Sequence, residues 1–333
     1  MKKLLIIVGV VIIAVNAAVG AYAAEYTMRL SVSPPDSNPI GKGVRYLGEI
    51  IEKKSGGRIE TQVFTGYSLT TGNEDQINYT RKNNIQMSVT VSSAFVGAGK
   101  GLENWYIFDY PYLFASPADV YKFAETDLYK KMCADLQKST GLKAYPPYSQ
   151  GLTKIGAKRA INTPDDMKNL KIRTTTSRLT QEMIRAWSGA PTPMAWGEVF
   201  TGLQQGTVDG VCTSSGMFDA DKLYEVVGYM ACIDPYPLLH VPFLNNRWFE
   251  SLPEDLQKIV DECMYEYLDY ERKLQDDAED QVKQDMRANG MTVIEYDAET
   301  IKPFTERTAY IIDKYADMAG TEFVGEVKKI LGK

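Results

Sequence analysis

Apolar positions follow two different spacings in the central third of the chain. Leu170 to Thr174 and Val208 to Val211 alternate apolar and polar residues, which is typical of strands. Leu179 to Trp187 and Glu198 to Gln205 place apolar residues three or four positions apart, which predicts two helices. A short extended piece, Thr192 to Met194, lies between these helices. The order strand, helix, strand, helix, strand predicts a parallel α/β sheet.

The same two spacings continue toward both ends of the chain. Tyr26 to Val32 and Arg58 to Phe64 read as strands, and Gly41 to Lys54 between them reads as a helix. Near the other end, the apolar spacing predicts one unbroken helix from Ser251 to Asn289. At a rise of about 1.5 Å per residue this helix is on the order of 50 Å long, which exceeds one domain. We therefore expect it to brace two domains.

The chain length of 333 residues also favours about two domains. Pro146 to Gly151 and Met230 to Pro237 read as two crossings between them. With the long helix, these crossings predict a two-lobed α/β fold with a ligand cleft between the lobes, enclosed by hinge closure. The predicted division is a signal peptide at 1–23, lobe I at 24–149 plus about 239–278, and lobe II at 150–238 plus about 279–333.

The first 23 residues have the layout of a secretory signal peptide. Lys2 and Lys3 precede an apolar run from Leu4 to Val19, and Ala21 to Ala23 forms a cleavage site. An uncleaved membrane anchor is the alternative, but the apolar run is short for one. No cysteine follows the site, which argues against a lipoprotein. We expect export to a bacterial periplasm, with a mature chain that starts near Ala24.

Charge and cysteine usage narrow the function classes. Cleavage removes two lysines and no acids, so the formal net charge goes from −6 to −8. No basic patch occurs, so nucleic acid is not an expected partner. A disulfide between Cys212 and Cys232 is possible in an oxidising compartment, and the sequence leaves it open. The four cysteines lack metal-ligand spacing and His240 is the only histidine, so we expect no metal and no cofactor.

Polar side chains stand at the ends of two predicted strands, where ligands bind in open α/β sheets. Arg173 is near the end of the first central strand, and its guanidinium matches a carboxylate through two parallel hydrogen bonds. The alternative is a solvated charge or a partner for Asp166 or Glu182, and position alone favours this alternative. Ser92 and Ser93 follow another predicted strand, where they either contact a ligand or cap the next turn.

Three blocks of the central stretch resemble the signature of DctP-type solute-binding proteins, which serve TRAP (tripartite ATP-independent periplasmic) transporters. They are Thr163 to Arg173 (TPDDMKNLKIR), Pro193 to Phe200 (PMAWGEVF) and Leu203 to Gly210 (LQQGTVDG), in the family's order and spacing. The resemblance extends over essentially the whole mature chain. It implies that the protein captures a small organic carboxylate, held by Arg173, and delivers it to the membrane subunits of a TRAP permease.

The resemblance also implies further ligand contacts by position in the family pattern, namely Ser33, Thr176, Trp196 and Thr213. For Ser92 and Ser93 it favours ligand contact and capping equally. Thr176 and Thr213 stand where sialic-acid-type members have asparagines, and Trp196 stands on an aromatic position that packs against the ligand. A second arginine that is common before the signature is absent, and Thr153 stands in its place. One arginine instead of two favours a monocarboxylate.

The aromatic residues suggest a finer hypothesis for the ligand. Trp196, with Trp105, Tyr148 and Tyr236, points to an aromatic or apolar carboxylate. The alternative is that Trp196 fills volume above a small 2-oxo or 2-hydroxy acid.

A periplasmic enzyme and a sensor are the two alternative classes of function. A periplasmic enzyme is disfavoured, because the chain has no G-x-S-x-G, H-E-x-x-H or C-x-x-C motif. A sensor, in which the closed and liganded lobes dock a receptor, fits the sequence as well as a transport protein does. We expect a monomer that is not an enzyme.

Overall fold

A connected sheet of eleven strands runs through the computed structural model, which describes residues 24–66, 68–70 and 72–333 apart from the side chains of 276–280. The predicted signal peptide, residues 1–23, lies outside the described residues. The strands are β1 Tyr26–Ser31, β2 Ile59–Phe64, β3 Met87–Val91, β4 Leu142–Ala144, β5 Tyr148–Ala157, β6 Lys171–Thr174, β7 Ala190–Pro193, β8 Gly210–Ser214, β9 Tyr229–Cys232, β10 Pro237–Asn245 and β11 Thr292–Glu295.

Helices cover the faces of this sheet. They are α1 Pro39–Lys54, α2 Asn73–Arg81, α3 Pro117–Ala124, α4 Asp127–Thr140, α5 Arg178–Ala186, α6 Val199–Gln205, α7 Ser215–Ala220, α8 Asn246–Ser251, α9 Glu254–Ala288, α10 Lys302–Thr308, α11 Tyr310–Lys314, α12 Ala316–Ala319 and α13 Thr321–Leu331. Short 3₁₀ turns lie at Ser92–Gly97, Glu103–Asp109, Pro164–Met167, Trp196–Glu198 and Leu223–Glu225.

Two adjacent strands, β5 and β10, join the halves of the sheet, whose main order is β2-β1-β3-β10-β5-β8-β6-β7. We call β1 to β4 with β10 the first half, and β5 to β9 with β11 the second half. β10 is antiparallel to both of its neighbours. It pairs with β3 from His240 to Leu244 and with the start of β5 from Pro237 to His240. The end of β5, from Thr153 to Ala157, pairs with β8. The boundary between the halves therefore runs between β10 and β5.

The central stretch forms the parallel unit that its spacing predicts. β6 pairs in parallel with β7 on one side and with β8 on the other. A capping box precedes β6, with Asp166 Oδ2 accepting a hydrogen bond from Thr163 N at 2.8 Å. These pairings place the ends of β6, β7 and β8 at one edge of the second half.

The predicted long helix is α9, which runs over 35 residues and is therefore about 52 Å long. Its beginning packs in a core with β1 and α1, through residues such as Val260 and Met264. Its end packs in a different core with α6 and β8, through Val282 and Met286. No helix in the described part of the chain is long and apolar enough to cross a membrane.

The region predicted as the second crossing differs from the expectation. Met230 to Pro237 is not a plain crossing, because Tyr229–Cys232 forms β9 and β10 already begins at Pro237. Near the other end of the chain, α10 to α12 contact both halves: Trp187 Nε1 donates to Phe304 O at 3.0 Å, and the Tyr110 hydroxyl donates to Tyr315 O. The lobe bounds given above stay a prediction.

All four cysteines are free, so the possible disulfide between Cys212 and Cys232 is not formed. The reason is the strand order. Ile155 of β5 pairs with Cys212 of β8 on one side and with Ala231 of β9 on the other. Cys212 and Cys232 are therefore about two strand spacings, or roughly 10 Å, apart. A disulfide requires Cα atoms within about 7 Å.

Thiol titration tests this arrangement on protein purified from an oxidising compartment. In denaturant without reductant we expect four reactive thiols per chain, the same number as after reduction. Under native conditions we expect slow reaction, because Cys212, Cys232 and Cys263 are buried and burial raises the pKa of the Cys212 thiol to about 12. A count of two in denaturant alone contradicts the strand order.

Candidate functional site

A cavity of about 940 Å³ lies between the two halves of the sheet. Its walls include the residues that follow β1, β3, β6 and β7, where these strands end, together with Thr213 near the end of β8. The crossing strands β5 and β10 contribute Gln150, Thr153, Leu238 and His240. The cavity thus occupies the edge of an α/β sheet at which ligands bind.

Six of the seven residues predicted to contact a ligand line this one cavity. They are Ser33, Ser93, Arg173, Thr176, Trp196 and Thr213. Ser92 is not among the lining residues and is 3% exposed. Ser92 and Ser93 open the 3₁₀ turn after β3 and therefore point in different directions. Of the aromatic residues predicted near the ligand, Trp196 and Tyr236 line the cavity, whereas Trp105 and Tyr148 are fully buried and do not line it.

Arg173 is 6% exposed, and hydrogen bonds to a neighbouring strand end hold its side chain in a fixed orientation. Its Nε and Nη2 both donate to the carbonyl oxygen of Met194, at 3.0 and 2.9 Å. Met194 follows β7, the parallel neighbour of β6, so the pairing of two strand ends places this carbonyl beside the guanidinium. A guanidinium whose plane is fixed loses little conformational entropy when it binds a planar anion.

Trp196 forms a flat wall next to this cation. The Arg173 guanidinium carbon lies 5.0 Å from the centre of the indole ring, within the range of a cation–π contact. Trp196 Nε1 donates to Asp221 Oδ2 at 2.9 Å, which fixes the ring plane. Burial raises the pKa of Asp221, and the indole hydrogen bond partly offsets this effect.

Strands β5 and β10, which join the two halves, supply polar atoms that the sequence analysis did not identify as ligand contacts. Gln150 and Thr153 of β5 and His240 of β10 line the cavity. Gln150 Oε1, Thr153 Oγ1 and His240 Nδ1 are buried and have no hydrogen-bond partner among the described residues. Burial lowers the pKa of His240 to about 4, so its ring is neutral at pH 7. Unsatisfied buried polar groups are costly, so this wall favours a polar occupant.

Asp109 is a further residue that the sequence analysis did not select. It is 7% exposed, and the two serines that influence its ionisation, Ser93 and Ser177, both line the cavity. Burial raises the pKa of its carboxyl group to about 6, while the hydroxyls of Ser177 and Ser93 act to lower it. Neither serine forms a hydrogen bond of good geometry with Oδ2, which has no partner among the described residues.

Comparison with known families decides the identity of this arrangement. The family described as "Bacterial extracellular solute-binding protein, family 7" (DctP) matches residues 30–318.

The chain belongs to this family.

Named relatives of this family 7 protein extend over most of its length. The C4-dicarboxylate-binding periplasmic protein DctP of Rhodobacter capsulatus is 25% identical and covers 97% of this chain and 96% of its own length. The ectoine-binding periplasmic protein TeaA of Halomonas elongata is 28% identical over 75% of this chain and 74% of its own. These relatives are periplasmic by name.

Solved structures share the fold of this family 7 protein. The sugar acid binding protein DctPAm of Advenella mimigardefordensis, in complex with galactonate, has a TM-score of 0.87 at 21% identity and covers 92% of this chain and 97% of its own. A TRAP periplasmic solute binding protein of Sulfurospirillum deleyianum, with bound succinate, has a TM-score of 0.85 at 20% identity, over 92% and 99%. The predicted two-lobed α/β fold class is confirmed.

The buried acid of this family 7 protein makes its stability depend on pH. The folded pKa of Asp109 is raised to about 6 from 3.8, so the folded state holds this proton more tightly than the unfolded state. The resulting destabilisation is absent below about pH 4, grows between about pH 4 and 6, and is complete at pH 7, where two units correspond to roughly 2–3 kcal/mol. Asp109→Asn should therefore stabilise the protein at pH 7 by up to this amount, and little at pH 4.

Urea unfolding at the two pH values measures the difference. Asp269→Asn, on the exposed side of α9, is the matched control and should change neither midpoint. An Asp109→Asn effect of equal size at pH 4 and pH 7 contradicts the assignment of a buried ionised carboxyl group.

Proposed function

We propose that this family 7 protein captures a small organic carboxylate in the cavity between its two halves and delivers it to the membrane subunits of a TRAP permease. The observation that carries this proposal is Arg173: a buried cation with a fixed plane, at the end of a parallel strand, on the wall of a cavity of about 940 Å³. A carboxylate matches the guanidinium through paired, charge-assisted hydrogen bonds.

Related proteins support the carboxylate class. A Rhodobacter capsulatus relative is named for C4-dicarboxylates, and solved structures of similar fold hold succinate, galactonate or D-erythronate. TeaA of Halomonas elongata is named for ectoine. Each of these ligands belongs to its own protein, and the feature that we transfer to this chain is only the acid group that Arg173 fits.

The ligand of this chain carries one carboxylate in our proposal. Thr153, which stands where relatives often have a second arginine, lines the cavity with a buried hydroxyl that has no partner among the described residues. Arg81 is the other arginine on the wall, and it lies exposed at the end of α2. A second desolvated carboxylate would thus lack a buried arginine at the Thr153 position.

For the body of the ligand we retain an aromatic or apolar group against the Trp196 ring. The volume of the cavity suits a ligand with a ring. The specific alternative is a small 2-oxo or 2-hydroxy acid, which the polar wall of Gln150, Thr153 and His240 favours. Mutation of Trp196 separates these two ligand classes.

The proposed cycle uses the boundary between the halves as a hinge. Lobe I, at 24–149 plus about 239–278, and lobe II, at 150–238 plus about 279–333, would close over the ligand as a monomer in the periplasm. The signal peptide at 1–23 would direct the export, and the ligand-bound form would dock the permease.

A sensor would dock a receptor instead, so co-purification with TRAP membrane subunits distinguishes the two partners. Catalysis would appear as turnover of the ligand, whereas we expect stoichiometric retention.

Removal of the anchor should abolish binding without unfolding the protein. Arg173→Ala should weaken carboxylate binding by roughly 3–5 kcal/mol, because the anion keeps its desolvation cost and loses its partner. This corresponds to a Kd raised by about two to three and a half orders of magnitude. Arg173→Lys should have an intermediate effect, since it keeps the charge and loses the planar fork.

Native mass spectrometry of purified wild type and variants, followed by denaturation and identification of the released molecule, measures this loss. Arg185→Ala is the matched control, because Arg185 is an exposed residue of α5 that pairs with Glu182. A ligand that is retained equally by Arg173→Ala, or that lacks an acid group, refutes the proposed function.

Trp196 variants test the body of the ligand. If an aromatic or apolar group packs on the indole ring, Trp196→Ala should weaken binding of aromatic acids at least about ten-fold, because burial of an aromatic surface contributes more than 1.4 kcal/mol. Trp196→Phe keeps a ring but loses the hydrogen bond to Asp221, and it should lose less. Calorimetric titration with benzoate and lactate compares the two ligand classes, and a wild type that prefers lactate contradicts the aromatic hypothesis.

A further inference from the structure

Two neighbouring strand ends of the first half diverge where they meet the cavity. The parallel pairing of β1 with β3 ends at Ser31 and Ser88. Beyond these residues, Ser33 and Val89 both line the cavity, and so does Gln76 of α2. Gln76 is 1% exposed and Val89 is 3% exposed, whereas Ser33 is half-buried. We call these three lining residues the serine corner. Backbone polar groups in such a buried gap need partners that the sheet no longer supplies.

The side-chain amide of Gln76 bridges this gap. One end of the amide lies 2.9 Å from Val89 O, and the other end lies 3.0 Å from Ser33 N. A backbone carbonyl oxygen only accepts a hydrogen bond, and a backbone N–H only donates one. The amide nitrogen therefore donates to Val89 O, and the amide oxygen accepts from Ser33 N. The two strand ends thus fix the orientation of this side chain.

The orientation of the amide decides the direction of a further hydrogen bond. Ser33 Oγ lies 2.8 Å from the amide oxygen of Gln76. Two oxygen atoms at this distance share one hydrogen, and an amide oxygen carries none, so the Ser33 hydroxyl is the donor. A serine hydroxyl has only one hydrogen. Because this hydrogen is used by Gln76, the Ser33 oxygen can accept a hydrogen bond from a ligand but cannot donate one.

The charged groups beside the serine corner have the same preference. Glu74 and Asp75 lie in the first turn of α2, directly before Gln76, and both line the cavity. Arg81 is the last residue of α2 and is therefore about 9 Å from Asp75 along the helix axis. Its guanidinium donates to a backbone carbonyl and to another side chain of α2. The region around Ser33 thus favours hydrogen-bond donors and disfavours a second carboxylate.

We propose that Gln76 is a positioning residue that sets ligand specificity: it holds the Ser33 hydroxyl as an acceptor, so the part of the ligand that meets the first half must donate. This inference rests on the proposed function, in which Arg173 of the second half holds the carboxylate. It narrows the ligand class to acids that carry a hydroxyl or ammonium group away from their carboxylate. A ketone oxygen at the same place would bring its lone pairs against those of Ser33.

Isosteric pairs of acids measure this preference on the purified mature protein after removal of any carried ligand. The members of a pair have a hydroxyl group or a ketone oxygen on the same carbon. The pairs are 4-hydroxypentanoate with 4-oxopentanoate, 5-hydroxyhexanoate with 5-oxohexanoate, and 4-(1-hydroxyethyl)benzoate with 4-acetylbenzoate. A ketone only accepts hydrogen bonds, whereas a hydroxyl group also donates. We call the Kd of the oxo acid divided by that of the hydroxy acid the donor ratio.

We expect a donor ratio of at least about five for the pair that the wild type binds most tightly, because the oxo acid places an acceptor against an acceptor. Gln76→Leu should lower this ratio toward unity, since the Ser33 hydrogen can then turn toward a ligand. Gln76→Glu should keep the ratio, because a carboxyl group still accepts from Ser33 N and Oγ. A general loss of packing weakens both members of a pair alike, so the ratio reports the polarity of Ser33.

Ser33→Ala tests the serine corner without a change to its buried amide. This variant should weaken the hydroxy acid and leave the oxo acid unchanged or improved, because Ser33 makes no favourable contact with a ketone. Ser37→Ala is the matched control, since Ser37 is exposed in the same loop and does not line the cavity. It should change no Kd. Thermal melting of each variant verifies that it is folded.

Any of four results overturns the inference: a wild-type donor ratio at or below unity, a wild-type ratio kept by folded Gln76→Leu, the same ratio kept by Ser33→Ala, or its loss in folded Gln76→Glu. If Gln76→Leu does not fold, Ser33→Ala decides. Arg173→Ala separates this inference from the proposed function. Acids that Arg173→Ala retains refute the proposed function, whereas acids that it loses, with a wild-type donor ratio at unity, refute the role of Gln76 alone. A wild type that binds no member of any pair overturns both.

Discussion

The antiparallel pairing of β5 with β10 is the constraint on which the rest of the structure depends. Pro237 pairs with Leu152 and His240 with Tyr148, and the register shifts between Pro237 and Leu239. These few pairs connect a half-sheet built on β1 and β3 with one built on β6 and β8. Because the same strands also form one wall of the cavity, the connection between the halves and the shape of the site are set by the same backbone.

Strand ends from both halves converge on the cavity, and this convergence explains its electrostatics. Side chains at a strand end are not covered by a helix or by another sheet. A cation there can therefore be buried at the base of a cleft and still face a ligand. Arg173 uses the carbonyl of the neighbouring strand end as its orienting partner. Asp109 ends a 3₁₀ segment, and its charge and that of Arg173 both influence the pKa of the Cys212 thiol, so opposite charges from unrelated parts of the chain are brought near one another only by the fold.

Local spacing was sufficient to predict the parallel unit from β6 to β8 and the long helix, because each of these elements is encoded within one continuous stretch of sequence. For Arg173 position alone favoured a solvated charge, and the family resemblance was needed to select it as a ligand contact. β10 was harder to predict, since Pro242 lacks an N–H and proline argues against a central strand. In the structure Pro242 contributes its carbonyl instead, which accepts a hydrogen bond from Tyr145 N at 2.9 Å. The environments of Asp109 and Gln150 depend on residues that are distant in the sequence, such as Ser177 and Met217. No local sequence pattern predicts these contacts.

The helix α9 has a consequence for how this protein folds. Its beginning completes the core beneath β1, and its end completes the core beneath β8. Isolated helices depend on tertiary packing for most of their stability, so disruption of either core would loosen the part of α9 that the other core requires. Neither half is therefore an autonomous folding unit, and the protein is expected to melt in a single cooperative transition despite its two-part architecture.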